Sequence, residues 1–172
     1  MAAVIRIDHS ASFGSAGREP MVRFCSRCGE PGRDLPRGDN PPLQGRVCAA
    51  CGMGVLLRCS RDAAPGQMPF LIVKSDLRIV AISQTAEYAF GEEALILETK
   101  VTDLLSSPLG EVRFGRTVAQ AATRNREPAV IPVRPVAPAA GLAGMLAARI
   151  ATCGPPRAAL VMVEPSEFGR RR

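Results

Sequence analysis

Tryptophan is absent from this 172-residue chain, tyrosine and histidine occur once each, and six phenylalanines complete the aromatic set. So few rings argue against binding single-stranded nucleic acid by successive base stacking. Long apolar runs are missing too. The longest uncharged stretch, Pro135 to Ala148, is fourteen residues with two prolines and two glycines, short of the roughly 20 apolar residues that span a bilayer. Residues 1–24 mix charges with Ser, Gly and Ala and hold no apolar segment of export-signal length. A soluble, cytoplasmic protein is expected, with no membrane partner. The net charge of +6 invites a nucleic-acid reading, but it divides as +3 over residues 1–69, +1 over 70–164 and +2 over the last eight. No block of five or more like charges occurs, and the arginines at 170–172 read as a solvated tail. Nor is there a nucleophile–base pair, a glycine-rich phosphate loop or a kinase signature, so the chain is expected not to be an enzyme. Its richness in Ala, Arg, Gly and Pro fits a GC-rich bacterial coding bias.

What the chain does have is cysteine in a pattern. Cys25-Ser-Arg-Cys28-Gly29 and Cys48-Ala-Ala-Cys51-Gly52 hold four of the six cysteines, with nineteen residues between the pairs. Each Cys-x-x-Cys puts two thiols on one tight turn, and the following glycine takes a backbone conformation that a side chain would obstruct. Two such turns facing each other supply the four-thiolate tetrahedron that Zn²⁺ prefers, with no position left for water. The expected ligands are therefore Cys25, Cys28, Cys48 and Cys51, holding a structural zinc ion. Two disulfides would use the same residues, but they belong to small exported scaffolds. A thioredoxin-type motif would need one such pair beside a β-α-β pattern. Tetrahedral thiolate also suits iron. Cys59 and Cys153 stand apart and read as buried small hydrophobes, a redox pair being the alternative.

Composition divides the chain. Residues 1–21 form a loose lead-in, with a possible short strand at Val4–Ile7, and residues 22–59 form the zinc ribbon. The loop from Glu30 to Gln44 has four prolines, three acidic residues and two glycines, a composition that breaks regular structure. With almost no aliphatics, this module depends on its metal to fold. Val55-Leu56-Leu57 closes it as a strand. Residues 60–69 read as a linker, 70–164 as a second domain and 165–172 as a basic tail. In the second domain Phe70–Val73 and Arg78–Ile82 flank a Ser75-Asp76 turn as a hairpin. Ser83 sits where a helix N-cap belongs, and Gly91 ends that helix. Short helical segments follow over 94–105, then a longer helix over 116–126. Three strands finish it: 129–136, 145–153 and 157–164. The alanine-rich 142–151 stretch is helical by propensity, but Leu146, Ala148 and Ile150 alternate as a strand does. Glu92-Glu93 reads as a solvated first-turn pair, and Arg113, Arg116, Arg124 and Arg126 as a solvated helix face.

Two strands, short helices, one longer helix and three strands is the order of a PAS domain, and local motifs support it. Phe70 to Ser83 resembles the opening PAS hairpin. Ser83-Gln-Thr-Ala-Glu-Tyr-Ala-Phe-Gly91 is similar to the family's N/S-x-x-A-E-x-x-F-G helix, and Val101-Thr-Asp-Leu-Leu105 to its V-T-D-L-L stretch. Glu98 stands where a glycine is usual. The resemblance covers residues 70–164 and implies an α+β fold: a zinc ribbon, then a five-stranded antiparallel sheet with helices across one face. It also implies sensing of a small ligand, or protein contact. Haem and flavin are not supported: His9, the sole histidine, lies outside the domain, and neither Cys59 nor Cys153 occupies a flavin-reactive position. The expectation is a bacterial regulatory protein that signals through a protein partner or as a homodimer. The alternative is a nucleic-acid-binding zinc-ribbon transcriptional regulator carrying a PAS regulatory domain.

Overall fold

The computed structural model describes residues 20–32, 46–124 and 127–166. The Val4–Ile7 segment, His9, most of the inter-knuckle loop, Arg126 and the chain from 167 onward lie outside the described residues.

A small antiparallel sheet forms first, from β1 (Met21–Cys25), β2 (Pro31–Gly32) and β3 (Leu56–Ser60), in the order β2-β1-β3. The expected closing strand at 55–57 is present but runs on to Ser60, because Cys59 pairs with Val22 and Ser60 with Met21 along β1. Within the segment 60–69, read as a linker, Ser60 ends β3, a short 3-10 turn at Arg61–Ala63 buries Ala63, and Pro65 is buried, while Arg61, Asp62, Ala64, Gly66 and Gln67 are exposed.

The larger part opens with the hairpin of β4 (Phe70–Val73) and β5 (Ile79–Ile82). Helices α1 (Gln84–Phe90), α2 (Glu93–Ile96) and α3 (Val101–Leu104) follow. Ser83 caps α1 as expected, its Oγ accepting from Ala86 N at 3.1 Å, and Gly91 closes the helix at φ 111°. After α3 come β6 (Leu105–Ser106), α4 (Glu111–Thr123), β7 (Ala129–Pro135), β8 (Leu146–Cys153) and β9 (Ala158–Pro165). The order in the sheet is β5-β4-β9-β8-β7-β6, every pairing antiparallel.

Two expectations are corrected. The sheet has six strands, not five, because Leu105 and Ser106 leave α3 extended and pair with Pro135 and Arg134. The long helix spans Glu111–Thr123 rather than 116–126, with Arg124 already extended and Gly115 inside it as a contact position. A Cβ there would stand 3.0 Å from the Leu77 side chain, and Gly110 starts the helix at φ 94°. The alanine-rich segment is a strand, as its alternation indicated.

The large sheet is covered on both faces. Leu71, Val73, Ala148, Ile150, Val161 and Val163 face a core completed by Ile96, Val101, Phe114 and Val118 of the helices. The alternate residues Phe70, Ile72, Ala151, Leu160 and Met162 face a second core completed by Phe24, Leu57, Cys59 and Ala63. Phe24 and Phe70 meet edge to face, ring centroids 5.7 Å apart at 84°. An uninterrupted apolar strand such as Phe70-Leu-Ile-Val73 is what two-sided burial requires. The small sheet thus obtains its core by borrowing a face of the large one. At the seam, Arg58 and Gly154 exchange both backbone hydrogen bonds, at 2.7 and 3.0 Å.

Candidate metal centre

Both Cys-x-x-Cys turns fold in the same way. In the first, Gly29 N donates to Cys25 O at 3.0 Å; in the second, Gly52 N donates to Cys48 O at 2.9 Å. Gly29 and Gly52 sit at φ 73° and 68°, the left-handed region that glycine enters without steric penalty. Arg27 N lies 3.3 Å from Cys25 Sγ, and Gly54 N lies 3.4 Å from Cys51 Sγ. Amides directed at sulfur in this way favour the thiolate.

The two turns are joined edge to edge. Ser26 N donates to Val55 O at 2.9 Å and Val55 N to Ser26 Oγ at 3.0 Å. The result brings together all four cysteines that the spacing singled out. Their Sγ atoms lie within 4.8 Å of one another, with Cys25–Cys51 at 3.6 Å and Cys28–Cys48 at 3.8 Å. These separations are far from the ~2.05 Å of a disulfide, and all six cysteines are free. Four sulfurs placed ~2.3 Å from a common centre at tetrahedral angles would be about 3.8 Å apart. The cluster therefore has the dimensions to hold a metal ion such as zinc.

Electrostatics divide the thiols. Burial pushes Cys25 up to about 12 and raises Cys28 as well. The backbone amides of Met53 and Gly54 bring Cys51 down to about 6. A divalent cation at the centre would offset the cost that burial sets on the Cys25 and Cys28 thiolates.

Spacing alone missed two residues of the site. Gly54 runs so close to the first turn that a Cβ would overlap Cys25 Sγ and stand 2.8 Å from Arg27 Cβ; the glycine-rich run Cys51-Gly-Met-Gly54 was its only trace. Arg27, between two of the cysteines, turns away from them. Its guanidinium pairs with Glu87 of α1 and lies 3.5 Å from Glu93 of α2, while its carbonyl accepts from Gln84 N at 2.8 Å. Glu93 is thus an ion-pair partner, which corrects its reading as a purely solvated charge.

The remaining candidates stay away from the cluster. Cys59 and Cys153 are buried between the two sheets, each pushed up to about 12 by desolvation. Arg113 and Arg116 on α4 and Arg124 just past its end are exposed, as expected of solvated charges. No helix among the described residues is long and apolar enough to cross a membrane. Compared with known family models, curated proteins and solved structures, the chain gives no match.

Proposed function

We propose that this chain is a non-catalytic regulatory protein in which a structural zinc site is built into one side of a PAS-like sensing or interaction domain. The observation that carries the reading is the convergence of Cys25, Cys28, Cys48 and Cys51 to within 4.8 Å. Four protein thiolates fill the coordination shell, leaving no site for a substrate or an activated water. Zinc is the favoured occupant because structural four-cysteine sites of this spacing suit a redox-inert, tetrahedral ion.

The PAS-like reading is supported by the order of elements from β4 to β9 and by the helices laid across one face of the sheet. Glu98 adds a local argument. It takes φ 65° at the position where the resembling family carries glycine, so the backbone keeps the left-handed turn even though the residue differs. In this reading the chain acts as a cytoplasmic regulator by docking to a protein partner or to a second copy.

The test is metal analysis of protein purified without added metal, together with its mass in solution. One zinc per chain is expected, falling below 0.2 per chain in Cys28→Ser. Full zinc retention in that variant, or iron in place of zinc, would overturn the metal assignment. A monomer that captures no partner from a lysate of its source would count against the regulatory role.

A further inference from the structure

Arg27 makes contacts that a residue in a metal-binding turn does not need for binding metal. Its amide is directed at Cys25 Sγ. Its carbonyl holds the first amide of α1, that of Gln84. Its guanidinium, with a side chain only 19 % exposed, lies between the carboxylates of Glu87 on α1 and Glu93 on α2. Glu87 Oε1 in turn accepts from Glu93 N at 3.1 Å, tying the two helices together. One residue fixed between two thiol ligands therefore anchors both helices that follow the opening hairpin.

We propose that Arg27 couples metal occupancy at the four-cysteine cluster to the ordering of α1 and α2, so that the domain reports metal or thiol state through these helices. The inference rests on the metal reading above. Seven-residue and four-residue helices are far too short to persist alone and depend on tertiary anchors. Beside their buried Ala86, Ala89 and Ile96, α1 and α2 are held by Ser83, by Thr85 Oγ1 donating to Met68 O, by Ala140 N donating to Ala89 O, and by Arg27; among these, only Arg27 lies between two cysteines of the cluster. Ser83 belongs to the sheet side and stays in place without metal. Arg27 does not, because a Cys-x-x-Cys turn holds its shape through the ion. Loss of the ion, by chelation or by oxidation of the thiols by a peroxide, releases the turn and withdraws one anchor. Each pair of zinc-bound thiolates would give up two electrons to form one disulfide, and these, with two protons from solvent, would reduce one hydrogen peroxide to two waters as the ion is released. α1 and α2 also carry the exposed Tyr88 and Leu95, at 80 % and 74 %, so their ordering changes the apolar surface on that face.

Coupling is reciprocal: if metal orders the helices, breaking the helix contacts weakens metal binding by the same factor. The experiment measures zinc affinity of the full chain by chelator competition for wild type, E87Q/E93Q and E92Q. It also follows hydrogen exchange over residues 84–97 with and without zinc. Glu92 neighbours Glu93 but makes no ion pair with Arg27, so E92Q controls for a simple loss of negative charge. The expected result is a zinc affinity at least about fivefold weaker in E87Q/E93Q and within twofold of wild type in E92Q. Zinc removal should speed exchange over 84–97 at least tenfold while α4, residues 111–123, stays protected. Equal affinities for all three proteins, or exchange over 84–97 unaffected by zinc, would overturn the coupling. So would exchange rising equally over α4, which marks global unfolding. A wild type that binds no zinc would instead sink the metal reading itself, so the two failures are distinguishable.

Discussion

The packing of the small sheet on the back of the large one makes a quantitative prediction through Phe24. This side chain is 1 % exposed and meets Phe70, itself fully buried, edge to face across the seam. Truncation to alanine removes the ring's transfer free energy and leaves a cavity that neighbouring β-strands cannot collapse into. Such changes cost about 3–5 kcal/mol. With a urea slope of about 2 kcal/mol/M, typical of small domains, the midpoint should fall by about 1.5–2.5 M. The aromatic geometry adds a separable part, so a Phe24→Ala/Phe70→Ala cycle should show coupling of about 0.5–1.5 kcal/mol. Far-ultraviolet circular dichroism is the suitable probe, since the chain lacks tryptophan, and zinc content must be matched because Phe24 precedes Cys25. If the sheets share a core, one transition moves as a whole. A loss below about 1 kcal/mol, or a two-step melt in which only a first, minor step shifts, would refute the shared core.

Three further perturbations test other parts of the molecule. Ser83→Ala should lower stability by about 1–2 kcal/mol in thermal denaturation, because its Oγ serves both Ala86 N and, at 3.0 Å, the buried Phe70 N; an unchanged melting temperature would refute the cap. Gly54→Ala should reduce bound zinc several-fold by metal analysis, since its methyl would overlap Cys25 Sγ, whereas full zinc content would show that the turn can shift. Burial holds Cys59 and Cys153 up near 12 against an ordinary 9.0. A raised folded-state value means that their contribution is complete below pH 9 and is lost as pH climbs towards 12. Urea midpoints between pH 8 and 11 should therefore fall for wild type and fall less steeply for C59A/C153A; parallel slopes would refute the assignment.

The regular elements were legible because local chemistry and tertiary structure agree there. Ser83 is a cap by residue type and is one in space; Gly91 stops α1; the alternation of Leu146, Ala148 and Ile150 outweighed alanine's helical preference. The features that escaped are those decided by a distant neighbour. β6 is two residues long and exists only because β7 passes beside it. Gly115 lies against Leu77, a contact between distant residues that no local pattern announces. The second core was written into the all-apolar Phe70–Val73 run, but a single run cannot say which segment supplies the other side. That segment was the module expected to have no core of its own.

The four-cysteine cluster was legible for a different reason: four cysteines at this spacing leave few chemical alternatives, so residue type does nearly all the work. What spacing could not reveal is that the cluster lies against the helices it was expected merely to precede in sequence. Ser26 and Arg27 are ordinary fillers in a Cys-x-x-Cys pattern, yet one stitches the two turns together and the other binds α1 and α2. This placement changes what the site can do. With a metal held by all four thiolates, no coordination position would stay open for a substrate, so the centre would influence the rest of the protein through the shape it imposes on its own turns. Because the neighbouring helices are too short to hold themselves, the proposed coupling requires that a change of shape at residues 25–28 be transmitted instead of absorbed. What the structure supplies for that coupling is the contact itself: Arg27, between two cysteines of the cluster, reaches Glu87 and Glu93 on the two helices.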